Sequence, residues 1–219
     1  MAIRGKHAAL SEKGLLTPDN CVFAFVDLLP QMLFHVANID PSSVINANAM
    51  LAKTASAFDV PVVLSILGAK TLRDGMWPRV SAIFAGKTPI SRTTISPWDD
   101  PLFLGAIERA GRRRIVFSGL WTETSVAFAV VQASHDGYEA FVVEDACGGL
   151  SQLAHANAIK RMIQAGAKPV TALSVLLELQ RDLAAEATYG AVMDIVRSHA
   201  GRCASVFDHL VAATAATPP

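Results

Sequence analysis

Charge of one sign is not in excess in this chain. Nineteen Lys and Arg stand against nineteen Asp and Glu among 219 residues, a formal net charge of zero. Phosphate binding usually leaves a basic excess or a clustered stripe, so the balance argues against nucleic acid as the main partner. The one dense basic run, Arg112-Arg113-Arg114, leads straight into an apolar segment and reads as a solvated strand entrance. Cysteine is scarce as well. Cys21, Cys147 and Cys203 form neither an even set nor a C-x-x-C pair, the usage of a reduced, cytoplasmic protein without a zinc knuckle. No apolar stretch approaches the ~20 residues that cross a bilayer, and the first twenty residues lack an apolar leader. Neither a membrane partner nor a signal peptide is expected.

Several chemical signatures are also missing. No G-x-G-x-x-G follows the first apolar run and no G-x-x-x-x-G-K-[ST] occurs, which removes the usual grounds for a dinucleotide or nucleoside triphosphate. There is no G-x-S-x-G elbow of the α/β-hydrolase kind. The six histidines (His7, His35, His135, His155, His199, His209) show no H-x-H or H-E-x-x-H spacing, and none ends an expected strand. No metal and no other cofactor is expected.

What the chain has is apolar residues, 52% of the total against 17% charged, enough to bury a large core. No linker divides it, so it reads as a single domain over 1–219, with an N-terminal extension over about 1–18 and a frayed tail at 212–219. Short β-branched runs alternate with stretches of helical period. Val22–Val26 is apolar on both faces, as a central parallel strand must be. Further strands are expected at 62–66, around Ile90, at 115–117, at 141–143 and near Val170. Asp40-Pro41 and Asp99-Asp100-Pro101 open helices, and Gly111 stops the second. Other helices are expected at about 122–134, 154–166, 173–183 and 191–200. This alternation predicts an α/β fold: a mainly parallel six-stranded, Rossmann-like sheet with helices on both faces.

In such sheets the chemistry lies beyond the carboxyl ends of the strands. Asp27 ends the first strand, where partial desolvation suits a carboxylate to proton transfer; capping the next turn is the plainer role. Arg92 closes the third strand, placed to pair with Asp27, to bind a substrate carboxylate, or to serve only as a surface ion-pair residue. Ser118 to Ser125 passes from strand to helix, and a helix start offers unpaired N–H groups to an oxyanion. The ordinary alternative makes Thr122 an N-cap with Ser125 at the third helical position. Cys147 reads chiefly as a small buried hydrophobe. Trp77, Trp98 and Trp121 are candidate pocket walls, and Trp98 with the apolar helices suggests a self-associating surface.

Three stretches, Phe25-Val26-Asp27, Arg92 to Trp98, and Ser118 to Phe128 with Glu139 to Gly149 behind it, resemble the isochorismatase-like hydrolases, in particular a branch of bacterial cysteine hydrolases of unknown substrate. The resemblance runs from about Asn20 to about Asp182. It implies six parallel strands, a homo-oligomer, a small-molecule substrate and an Asp–Lys–Cys triad acting on amide C–N bonds. Asp27 then matches the acid, Arg92 the lysine and Ser125 the nucleophilic cysteine. Leu120, Trp121 and Thr124 match the oxyanion-hole backbone, with a cis Leu120–Trp121 bond before the helix, while Trp121 and Leu29 flank the substrate. Leu29 stands where a glutamine is common, and the nicotinamidase branch's metal-binding Asp/His set has no counterpart. Isochorismatases proper lack the cysteine and use the Asp as general acid on a vinyl ether. With Ser125 in place of the thiol, three functions stay open: amide hydrolysis, vinyl-ether hydrolysis, and a catalytically silent homologue acting in assembly or ligand binding.

Overall fold

The structure, a computed structural model, describes residues 13–68, 75–201 and 205–206. Residues 1–12 of the expected extension and the tail at 212–219, with His7, His209 and Cys203, lie outside the described residues. Six strands, β1 (Cys21–Val26), β2 (Val62–Leu67), β3 (Ile90–Arg92), β4 (Arg114–Leu120), β5 (Glu139–Gly148) and β6 (Lys168–Val170), form one sheet in the order β3-β2-β1-β4-β5-β6. Every pairing is parallel. β1 is central, and all six of its residues are buried. Its side chains alternate between two cores, as a pleated strand requires: Phe23 and Phe25 join one apolar cluster, Val22, Ala24 and Val26 the other.

Eight helices cover the faces among the described residues: α1 (Pro30–Leu33), α2 (Pro41–Ala57), α3 (Pro78–Ser81), α4 (Pro101–Ala110), α5 (Ala127–His135), α6 (Gln152–Gln164), α7 (Ala172–Gln180) and α8 (Glu186–His199). The first cluster takes its helical share from α1, α2, α3, α7 and α8, the second from α4, α5 and α6. Each fully buried side chain such as Phe117 or Ile107 contributes about 1.5–3 kcal/mol by leaving water. The helix starts follow the expected chemistry. The Asp40 carboxylate accepts from Ser43 N, that of Asp100 from Leu102 N and Phe103 N, and Gly111 ends α4 in the left-handed region at φ 63°.

Some bounds differ from the sequence reading. β5 runs over 139–148 because Cys147 and Gly148 keep pairing beside β4 past an irregularity between Phe117 and Gly119. α8 begins at Glu186, five residues early, and α7 stops at Gln180 because Arg181 turns to φ 51°. The short helices α1 and α3 and a 3-10 turn at Pro97–Asp99 are too brief to leave a period in the sequence.

Candidate active site

The strand order changes direction at β1, whose two neighbours are β2 and β4, and at the carboxyl edge beside such a junction open α/β sheets place their ligands. Asp27 stands there, one residue past β1, at φ 53°. Its N–H donates to Ser65 O at 2.8 Å, and its carbonyl accepts from Leu29 N at 2.7 Å. Asp tolerates this left-handed geometry better than most side chains, and here it turns the carboxyl across the ends of β2 and β3.

Arg92, the last residue of β3, meets it. Its Nη2 donates to Asp27 Oδ2, Nε to Ser65 Oγ at 3.1 Å, and Nη1 to the carbonyls of Thr94 and Ile95, the latter at 2.8 Å. Asp27 is 0% and Arg92 1% exposed, so this is a buried ion pair and not a surface one. Burial pushes the Asp27 carboxyl above its ordinary value, against the opposing pull of Arg92, the Ser125 hydroxyl and the Leu67 backbone. The second carboxylate oxygen, Oδ1, is buried and closes no hydrogen bond within the chain. A group of that kind is costly unless something donates to it.

Ser125, 2% exposed, approaches from β4. Gly119 at φ 142° lies beside Val26, and a side chain there would overlap the Val26 carbonyl. Only glycine lets β4 run this close to β1. The Leu120–Trp121 peptide bond is cis. A five-residue π turn, Thr122–Val126, then leads into α5 and brings the Ser125 hydroxyl near enough to favour the ionised form of Asp27. The three residues far apart in sequence thus meet at one rim.

Other expected residues are arranged differently. Thr122 is not an N-cap: Trp121 occupies that position without a side-chain bond, and Thr122 Oγ1 turns instead to His155 Nδ1 at 2.9 Å. The Thr124 N–H, expected as an oxyanion donor, is taken up by the Trp121 carbonyl at 3.1 Å. Trp121 is held by its indole N–H to Met32 O at 3.0 Å and by the edge of His35. Leu29 is buried in the first cluster. Trp98 is no surface for self-association; it packs between Phe103 and Tyr138 and donates to Asp136 at 2.7 Å. Trp77 is likewise buried. Cys147, opposite Gly119, is fully buried in the second cluster, and burial pushes its thiol up to about 12.

One neighbour of the turn and one residue within it escaped the sequence reading. His155 lies on the inward face of α6, at helical spacing with Ala158, Ile159 and Met162, and that spacing was its only signal. Glu123 Oε1 accepts from Leu150 N at 2.9 Å. Among the described residues no group of three or more His, Cys, Asp or Glu is placed to hold a metal, and no helix is long and apolar enough to cross a membrane.

Residues 21–174 match the isochorismatase domain. Over 168 residues, 76% of this chain and 81% of the relative, the sequence is 30% identical to the Escherichia coli (strain K12) protein called "Probable hydrolase YcaC". Two solved structures are similar over 92% of the chain at 26% identity. One is YcaC from Pseudomonas aeruginosa with hexane-2,5-diol and covalent acrylamide, matched over 99% of its length with a TM-score of 0.84. The other, matched over 100% at a TM-score of 0.83, is the YcaC gene product from Escherichia coli, an octameric hydrolase of unknown specificity.

Proposed function

The chain belongs to the isochorismatase family, and on that premise we propose that it hydrolyses a small, uncharged amide or related C–N substrate at Asp27, Arg92 and Ser125. The observation that carries this reading is the buried Asp27–Arg92 pair with the Ser125 hydroxyl beside it. Asp27 takes the Ser125 proton as Oγ attacks the carbonyl carbon. Asp27 then returns that proton to the departing amine, leaving an ester on Ser125. Water attacks the ester, gives a proton to Asp27, and frees the acid while Ser125 recovers its hydrogen. A carboxylate is ordinarily a weak base for an alcohol; the burial that raises the Asp27 pKa makes it a stronger one. Arg92 keeps the base ionised and fixed. Ser125 takes the place that the family resemblance gives to a thiol.

Arg92 also bears on the class of substrate. Four acceptors of the chain itself already occupy its Nε, Nη1 and Nη2. A guanidinium engaged in this way has no free fork for a substrate carboxylate, so a neutral amide fits better than the carboxylate-bearing vinyl ether of isochorismatases proper. YcaC from Pseudomonas aeruginosa carries a covalent acrylamide, so a similar protein takes up a small amide, in keeping with this reading. The octameric Escherichia coli protein supports self-association of this chain.

The test is ammonia release from a panel of short primary amides, with a vinyl ether acid as comparison. Amide turnover should fall about 10³-fold or more in Ser125→Ala and in Asp27→Asn. Turnover of the vinyl ether alone, unaffected by Ser125→Ala, would assign Asp27 as a general acid. No turnover in the native protein, with amide hydrolysis gained in Ser125→Cys, would assign a silent homologue.

A further inference from the structure

The turn that carries Ser125 is tied down from outside the sheet. Its first residue, Thr122, is wholly buried, and its hydroxyl lies 2.9 Å from Nδ1 of the buried His155 on α6. Its second residue, Glu123, binds Leu150 N just before Ser151, whose side chain caps α6 by accepting from Ala154 N at 3.1 Å. No side chain caps the turn at Trp121. The Thr122 and Glu123 side chains thus tie the turn to α6, and both links end on the first residues of that helix or just ahead of them.

From this geometry we infer that His155 is a positioning residue: through Thr122 it sets the angle at which the turn presents Ser125 to Asp27. The inference rests on the reading of Ser125 and Asp27 as the reactive pair. The Glu144 carboxylate, 3.8 Å from Nε2, favours the proton on that nitrogen. Nδ1 is then an acceptor, and the buried Thr122 hydroxyl donates to it. Burial holds the His155 pKa below its ordinary value against the pull of Glu144 and Glu123, so the neutral, accepting ring persists. Losing Nδ1 leaves a buried hydroxyl unpaired, and the nearest means of recovering a partner is to turn the segment that carries Ser125.

A thiol introduced by Ser125→Cys reads this angle. Its alkylation by acrylamide is followed by mass spectrometry against pH, in that background and with added changes. His155→Leu and Thr122→Val should each slow alkylation about tenfold and raise the thiol's apparent pKa by about one unit, as the helix start ceases to favour the anion. Their combination should be no worse than either alone, because they break one link. His155→Asn, which keeps a polar atom near the place of Nδ1, should restore the parent profile. General loosening would raise the plateau rate and leave the pKa in place. If His155→Leu does not fold, Thr122→Val decides at the other end of the same link. An unchanged profile in either folded variant, or additive effects in the pair, overturns the inference. The parent reaction tests the underlying reading separately, since a thiol whose rate ignores Asp27→Asn refutes the reactive pair whatever His155 does.

Discussion

Asp27 and Ser125 face each other across the junction of β1 and β4, yet they are anchored by different means. The Asp27 side is built from the sheet. Arg92 closes β3, and its partners are Ser65 on the paired strand β2, Asp27 directly after β1, and carbonyls of the loop after β3. Moving that carboxylate means breaking the core. The Ser125 side belongs to a turn ahead of α5, held by side chains of α6 and the residue before its cap. A turn of this kind shifts without unfolding the sheet. The charge therefore sits where stability is decided, and on the proposed reading the hydroxyl sits where small rotations set reactivity.

Gly119 joins the two sides, and its replacement is the largest expected effect. Gly119→Ala drives a methyl group into the Val26 carbonyl at a φ that alanine avoids. It should cost more than about 4 kcal/mol in urea unfolding, or leave no folded protein. A midpoint near the parent's would mean that the two strands separate easily and that the comparison is wrong. Next come single changes on each side. Arg92→Leu leaves the Asp27 charge buried without its partner and should cost about 3–5 kcal/mol. Ser125→Ala loses one hydroxyl and should cost only about 0.5–1.5 kcal/mol while abolishing turnover. Equal stability losses would erase the distinction.

The two sides also carry opposite pH signs. The Asp27 pKa is raised in the folded state, so between the ordinary carboxylate value near ~4 and the folded value the native protein binds more protons than the unfolded chain. Its contribution falls as pH rises through that window. The His155 pKa is lowered, so between the folded value and about 6.5 the unfolded chain binds more protons, and stability rises with pH. Unfolding followed from acid to neutral pH should therefore show the decline removed by Asp27→Asn and the rise removed by His155→Asn. The same slope in parent and variant would remove that residue from the account.

The strand–helix alternation made the sheet legible because buried parallel strands are apolar on both faces. The ends of those strands pointed to Asp27, Arg92 and the stretch from Ser118 to Ser125, and only the family resemblance singled out Ser125 within that stretch. Helix starts were legible where a carboxylate precedes proline, as at Asp40 and Asp100. The bond between Thr122 and His155 was not. A threonine at a helix start is ordinarily a cap, and the partner that draws it away lies 33 residues on in an amphipathic helix whose inward face reads as core. The engagement of the Thr124 N–H was hidden too: it donates three residues back to the Trp121 carbonyl, a local tightening of the helix start that composition does not encode. The Asp27–Arg92 pair was open to expectation because both residues end strands; the Thr122–His155 pair, between a turn and a helix, is polar pairing that periodicity cannot carry.

The smallest expected effect is at Cys147, which shares the rim with Ser125 by sequence but not by environment. It pairs with Gly119 in the sheet, yet its side chain lies wholly within the second cluster, where burial lifts its pKa to about 12. At pH 8 such a thiol is ionised to about one part in 10⁴, against roughly a quarter for a free cysteine. Iodoacetamide should leave Cys147 of the native protein unlabelled over hours, as also Cys21, whose pKa is likewise near 12. Cys147→Ala should cost about 1 kcal/mol and leave amide turnover unchanged. A thiol introduced at position 125, on the turn beside Asp27, should label readily under the same conditions. Fast labelling at Cys147, or turnover lost in Cys147→Ala, would move the nucleophile one strand over and make Ser125 a bystander.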